Sequence, residues 1–186
     1  MKWTENSFKI LLKPGPSYTS SNDLFQSGRV KQYKDLCGYD KKKGTVDFER
    51  IEPNILEIKH LIERFSENHY HIIRTPTGHL SDMVIENFTK VFGRDIKYYM
   101  YDKDSTIQIN DILIQRPNKH TFIFIKEKLR CAKTLHKEHL GIMYERWTRS
   151  IDDAVIIQSL IGRATGHNDN GKVIVFTNID SINRYE

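Results

Sequence analysis

Short apolar runs of β-prone residues alternating with amphipathic helical segments predict an α/β fold, a three-layer domain with a mainly parallel sheet. Three observations carry the prediction. From Pro53 onward, strand-like and helix-like stretches take turns along the chain. Several of the strand-like stretches, such as Phe122-Ile123-Phe124-Ile125 and Val173-Ile174-Val175-Phe176, are apolar throughout and read as buried. Turn formers such as Pro76-Thr77-Gly78 and Asn168-Asp169-Asn170-Gly171 punctuate the series.

Residues 8–13 suit a short strand stopped by Pro14-Gly15-Pro16, and the polar run 17–22 suits a loop. Residues 23–36 read as a helix that Gly28 weakens. Lys41-Lys42-Lys43 before Gly44 fits either a solvated turn or a basic loop against phosphates. Nothing in residues 1–53 carries a functional signature, and this stretch reads as an N-terminal extension or connector to a main domain over 54–186. That domain opens on a helix capped by Asn54, with Ile55, Leu56, Ile58, Leu61, Ile62 and Phe65 on one face. A strand at 69–75 comes next. The following helix is capped by Ser81, turns Met83, Val84, Phe88, Val91 and Phe92 inward, and stops at Gly93. A strand at 95–101, a short helix at 107–115 ended by Pro117, and strands at 121–125 and 140–144 continue the alternation. A helix then runs from a Ser150 cap to Gly162, and a strand over 172–177 closes the series. The run Ala154-Val155-Ile156-Ile157 also suits a strand, but the cap, the first-turn Asp152 and Asp153 and the strand just downstream favour helix.

A chain of 186 residues with 38% apolar content can bury one sizeable core. Its net charge of +5 points to an anionic partner, nucleic acid first. Cys37 and Cys131 match no metal spacing and fit a reducing compartment. No apolar run reaches the roughly 18 residues of a membrane span. Lys2, Glu5 and Lys9 interrupt the N-terminus where a secretory signal would be apolar, so the expected location is intracellular, in cytoplasm or nucleus. His69 and His71 alternate on one strand face, and His136 and His139 are three apart. No full ligand set accompanies them, and no metal site is expected. Tyr144 and Trp147 are suited either to the core or to stacking on a base.

Chemistry concentrates in residues 150–177, where Arg163 is delivered beside a helix end between Gly162 and Gly166. A guanidinium offers a fixed fork of donors that grips phosphate oxygens bidentately and stays charged at any working pH. The segment Gln158-Ser159-Leu160-Ile161-Gly162-Arg163-Ala164-Thr165-Gly166 resembles motif VI of superfamily 2 helicases: glutamine, two residues, glycine, arginine, a small residue, glycine, arginine. Here the glutamine stands one residue further from the glycine, and Gly166 or His167 occupies the place of the second arginine. The order of elements over residues 55–186 resembles the second RecA-like domain of that superfamily. The wording of residues 122–135 is similar to the divergent helicases of large DNA viruses, which implies a virus-encoded protein.

The resemblance implies roles for particular residues. Arg163 would be catalytic, and Gln158, Gly162, Arg163 and Glu127 would line ATP. Thr75, Thr77 and Gly78, in the place of motif IV, would touch the backbone of DNA or RNA. So would Lys126, Lys128, Arg130 and Lys133, in the place of motif V. The chain contains no Gly-x-x-x-x-Gly-Lys-Ser/Thr loop and no Asp-Glu pair at a strand end for magnesium. It is therefore not expected to hydrolyse ATP alone. ATP and Mg2+ would bind only in a composite site, completed by a first RecA-like domain in a parent chain or a separate subunit. Two other classes fit the same residues: a stand-alone, non-catalytic nucleic-acid-binding module, and a scaffold or interaction protein.

Overall fold

Burial on both faces of a parallel sheet organises the chain. The structure, a computed structural model, describes residues 15–128 and 134–185. Its elements begin with α1 (Ser21–Gln26), β1 (Val30–Gln32), and a small hairpin of β2 (Tyr39–Asp40) and β3 (Thr45–Val46). Then come α2 (Phe48–Ile62), β4 (Tyr70–Arg74), α3 (Leu80–Phe92), β5 (Lys97–Tyr101), α4 (Ile109–Leu113), β6 (Thr121–Ile125) and β7 (Leu140–Tyr144). A kinked helix follows, made of α5 (Asp153–Ile156), an irregular turn (Ile157–Ile161) and α6 (Gly162–Ala164), and β8 (Ile174–Thr177) and α7 (Ile179–Tyr185) come last. Six strands pair in the order β1-β8-β7-β4-β6-β5, every pair parallel. The three-layer α/β architecture read from the sequence is the one observed.

Alternate side chains of each strand feed opposite layers. Ile73, Phe122, Phe124, Ile142, Tyr144 and Phe176 meet α2 and α3 on one face. Ile72, Ile123, Ile125, Met143 and Val175 meet α1, α4, α6 and α7 on the other. Such two-sided burial matches β6 and β7, which are buried at every position. At Gly141 in β7, an added Cβ would lie 2.8 Å from His71 Cε1 and 3.0 Å from His69 Cβ. We expect Gly141→Ala to cost about 1–3 kcal/mol in chemical denaturation, because strand backbones cannot move apart without breaking the ladder.

Several local expectations are corrected. The helix placed at 23–36 ends at Gln26, where Gly28 at φ 70° turns the chain. The residues after it form β1, the sheet's edge strand beside β8, and Leu24 of α1 is fully buried in the core. Residues 21–32 therefore belong to the packed domain rather than preceding it. The helix α2 is capped by Asp47, whose carboxylate accepts from Arg50 N at 3.2 Å, not by Asn54, and it runs through Pro53. Ser81 lies inside α3, its hydroxyl 2.8 Å from that of Thr75, so it staples rather than caps. The last long helix is capped by Asp152, which accepts from Val155 N at 3.2 Å, and not by Ser150. The strand expected at 8–13 lies outside the described residues.

Candidate functional site

In an open parallel sheet, ligands gather at the carboxyl ends of the strands, where neighbouring strands send their connections to opposite faces. Here that point falls between β4 and β7. The chain leaving β4 enters α3 on one face, and the chain leaving β7 enters the kinked helix, whose later half packs on the other. A small cavity of about 20 Å3, room for roughly one water molecule, opens there among Lys34, Cys37, Arg74, Pro76, Glu145 and Trp147.

Its floor is a buried ion pair. Arg74 Nη1 donates to Glu145 Oε1 at 2.8 Å and also to the Ser159 hydroxyl. Glu145 is only 4% exposed, and its other oxygen accepts from Leu160 N at 3.1 Å. The Tyr144 hydroxyl pins the chain after β1, accepting from Lys34 N at 2.7 Å and donating to Lys34 O at 2.9 Å. Burial pushes the Tyr144 phenol well above its usual range and raises the Cys37 thiol, so both stay neutral at working pH.

The residues selected by the resemblance lie after β4, after β6 and on the kinked helix, and none of those described lines this cavity. Thr75 is buried, its hydroxyl bonding Ser81 and the Ile125 carbonyl, so it joins the ends of β4 and β6. Thr77 and Gly78 are exposed on the same loop, with Gly78 at φ 64°. Lys126 follows at the end of β6, its amide donating to Tyr101 O at 3.1 Å. Glu127 is exposed at φ 56°. Lys128 folds back, donating to Ser105 O at 2.6 Å with its ammonium 4.5 Å from the Tyr101 ring centroid. Arg130 and Lys133 lie outside the described residues.

Gln158 and Gly162 are exposed on the kinked helix, while Arg163 is 7% exposed. Its Nη1 donates to the carbonyls of Gln158 at 3.0 Å and Ser159 at 2.7 Å. The turn where a second arginine was expected is held by Lys137, which donates to the carbonyls of Ala164, Thr165 and His167. Burial lowers the pKa of this lysine. Gly166 bridges to Thr19 through paired backbone hydrogen bonds.

Sequence reasoning passed over Arg74, Glu145 and Ser159 as a unit, because Arg74 stands 71 residues from Glu145 and 85 from Ser159. It also passed over the exposed bases of the rim, Arg146 and Arg149, in the loop after β7. Bases in the loop that leaves a buried strand were the available signal. Lys41, Lys42 and Lys43 are exposed at the tip of the β2–β3 hairpin, which leans on the loop after β4 through a Tyr39–His79 edge contact of 5.7 Å.

At the opposite, amino edge, His69, His71 and His120 stack beside Phe65. His71 Nδ1 accepts from Ile142 N at 3.1 Å, which leaves its Nε2–H to donate to His120 Nδ1 at 3.0 Å. Burial, then the neighbouring His120 and His69, hold the His71 pKa well below 6.5. Among the described residues no group of three or more His, Cys, Asp or Glu is arranged to hold a metal. None of the described helices is long and apolar enough to cross a membrane.

The chain is 28% identical over 178 residues to an uncharacterized protein of Acanthamoeba polyphaga mimivirus. The match covers 90% of this chain and 42% of that protein, so the chain spans less than half the length of this relative. No family model matches, and no solved structure does.

Proposed function

We propose that the chain is the C-terminal half of a virus-encoded superfamily 2 helicase or translocase, which grips the backbone of DNA or RNA and contributes to an ATP site completed by another domain. One observation carries the reading. The three stretches that resemble motifs IV, V and VI are far apart in sequence, yet they meet at the carboxyl edge of the sheet. Thr75 bonds the end of β6, and Arg74 bonds Ser159 of the kinked helix. The rim above them carries exposed Lys41, Lys42, Lys43, Arg146 and Arg149 beside half-buried Lys126. Bases spread along an edge in this way suit a phosphate backbone, whose binding releases counterions. The greater length of the mimivirus relative leaves room for a first RecA-like domain.

A second reading draws on the burial of Arg163. With its guanidinium donating to carbonyls of its own helix, the chain also suits a binding module that has no part in ATP hydrolysis. One experiment separates the two. The chain is mixed with a first RecA-like domain that binds ATP, with and without single-stranded DNA or RNA. ATP hydrolysis is measured for the parent and for Arg163→Ala. The helicase reading expects activity in the mixture alone and a loss of about 10³-fold or more with the substitution, the scale of an arginine that neutralises a transferring phosphoryl group. Salt-sensitive binding without hydrolysis would favour the module, and absence of binding at low salt would sink both.

A further inference from the structure

The helix over residues 153–164 is broken in the middle of the Gln158–Arg163 segment. Ser159 has φ −85° and ψ −130°, outside the helical region, so two helical segments meet across a kink there. A kink of this kind can take up an extra residue, because the backbone leaves the helical path at Ser159 and resumes it afterwards. This chain has one extra residue between Gln158 and Gly162 relative to the motif it resembles. The close approach at Gly162 agrees with that insertion. An added Cβ there would lie 2.6 Å from the Ile157 carbonyl oxygen, five residues back, so only glycine fits the turn.

A break exposes backbone groups that must find partners in a buried place. Leu160 N donates to Glu145 Oε2 at 3.1 Å. The Ser159 hydroxyl is held by Arg74, which in turn holds Glu145 Oε1. The carbonyls of Gln158 and Ser159 accept from Arg163 Nη1. Glu145 thus props the break open from one side, and the opened carbonyls seat the Arg163 guanidinium on the other.

We infer that Glu145 is a positioning residue for Arg163: it stabilises the kink at Ser159, whose freed carbonyls fix where the guanidinium lies. The role of Arg163 in ATP chemistry rests on the function proposed above, but the mechanical link does not.

The test reads the helix directly in the full chain. A deletion of Ser159 restores the usual spacing and is expected to give a continuous α-helix, in which the Leu160 amide no longer needs Glu145. Glu145→Ala should then have a folding equilibrium constant at least about tenfold below that of Glu145→Gln in the parent, and less than about threefold below it in the deletion background, since both variants remove the Arg74 ion pair alike. Hydrogen exchange at the Leu160 amide, with labelling of Arg163 by phenylglyoxal, supplies a second readout should the deletion variant fail to fold. Both rates should rise about fivefold or more in Glu145→Ala and rise less in Glu145→Gln, whose amide oxygen can still accept from Leu160. Equal penalties in the two backgrounds would overturn the inference. So would unchanged exchange and labelling in Glu145→Ala. Failure of the composite ATPase would leave these outcomes unaffected, so the two readings can fail separately.

Discussion

Arg74→Met is expected to destabilise the protein by roughly 3 kcal/mol, one of the largest single effects in the molecule. Arg74 Nη1 lies 2.8 Å from Glu145 Oε1, with the two side chains 19% and 4% exposed. Deleting one member of a buried pair leaves the other as an uncompensated charge, and that penalty exceeds what the intact pair contributes. Glu145 cannot turn to water, because its second oxygen is committed to Leu160 N and its first also accepts from Arg146 N at 2.9 Å. Adding Glu145→Gln to Arg74→Met should therefore recover part of the loss, since a neutral amide oxygen still accepts from backbone while its charge no longer needs a partner. Urea denaturation of the two variants decides the matter. A penalty below about 1 kcal/mol for the single substitution, or a further loss in the double, would mean that the pair does not hold this floor.

The expected penalty bears on function through location. The same residues join the end of β4 to the kinked helix at the point where the strand connections diverge, so the rim above the cavity is mounted on a fixed base. A phosphate-gripping edge benefits from such an arrangement, because exposed lysines and arginines lose less conformational freedom on binding when the backbone beneath them is already ordered. Lys128 illustrates the opposite case. With its ammonium donating to Ser105 O and lying over the Tyr101 ring, it would have to give up those contacts to reach a phosphate.

The fold was legible where apolar runs were long and bounded. The runs at 121–125 and 140–144 correspond to β6 and β7 residue for residue. Their neighbours supply hydrogen bonds on both sides and apolar contacts on both faces, so local pattern and tertiary demand agree. Reading failed where short elements take their identity from a distant partner. β1 is only Val30–Gln32 and is a strand because β8 lies beside it, while its own sequence resembles the continuation of a helix. Caps were misplaced for a related reason. Asn54, Ser81 and Ser150 all have capping chemistry, but Asp47 and Asp152 each stand at the point where the chain turns into its layer. At the candidate site, the sequence singled out Arg163 and Thr75 by residue type. It could not reveal that both are buried, because their partners are backbone carbonyls and a serine set by the fold. The extra residue before Gly162 was visible as a departure in spacing. The kink it accompanies was not, because the acceptor for the freed Leu160 amide is Glu145, 15 residues away.

Acidification is expected to produce the other large effect, a steep loss of stability as pH falls below about 6.5. The pKa values of His69, His71 and His120 are all lowered from 6.5, with burial the leading cause in each. Their hydrogen bonds require neutral rings, since His71 Nδ1 and His120 Nδ1 both act as acceptors. The sign follows from proton counting. Above 6.5 neither folded nor unfolded chain binds these protons, and the native state keeps its full stability. Below 6.5 the unfolded chain takes them up while the folded chain resists, so stability falls as pH drops from 6.5 toward the folded values. Each extra proton bound by the unfolded state contributes about 1.4 kcal/mol per pH unit, which sets a ceiling near 4 kcal/mol per unit for three. The rings are coupled and need not titrate one by one. Other charges face the cluster: Glu67, which is paired with Lys172 and Arg116, and His139. The carboxylates whose pKa values are lowered, such as Asp153 at about 2, release their contributions only at more acid pH, which keeps the histidine window separate. Urea denaturation between pH 7.5 and 5 should therefore give a slope of more than one proton. His120→Gln, at a half-buried position, should reduce that slope by about one proton while changing stability at pH 7.5 far less. A parent slope below one proton across the window would show that the stacked rings take up protons without breaking their contacts.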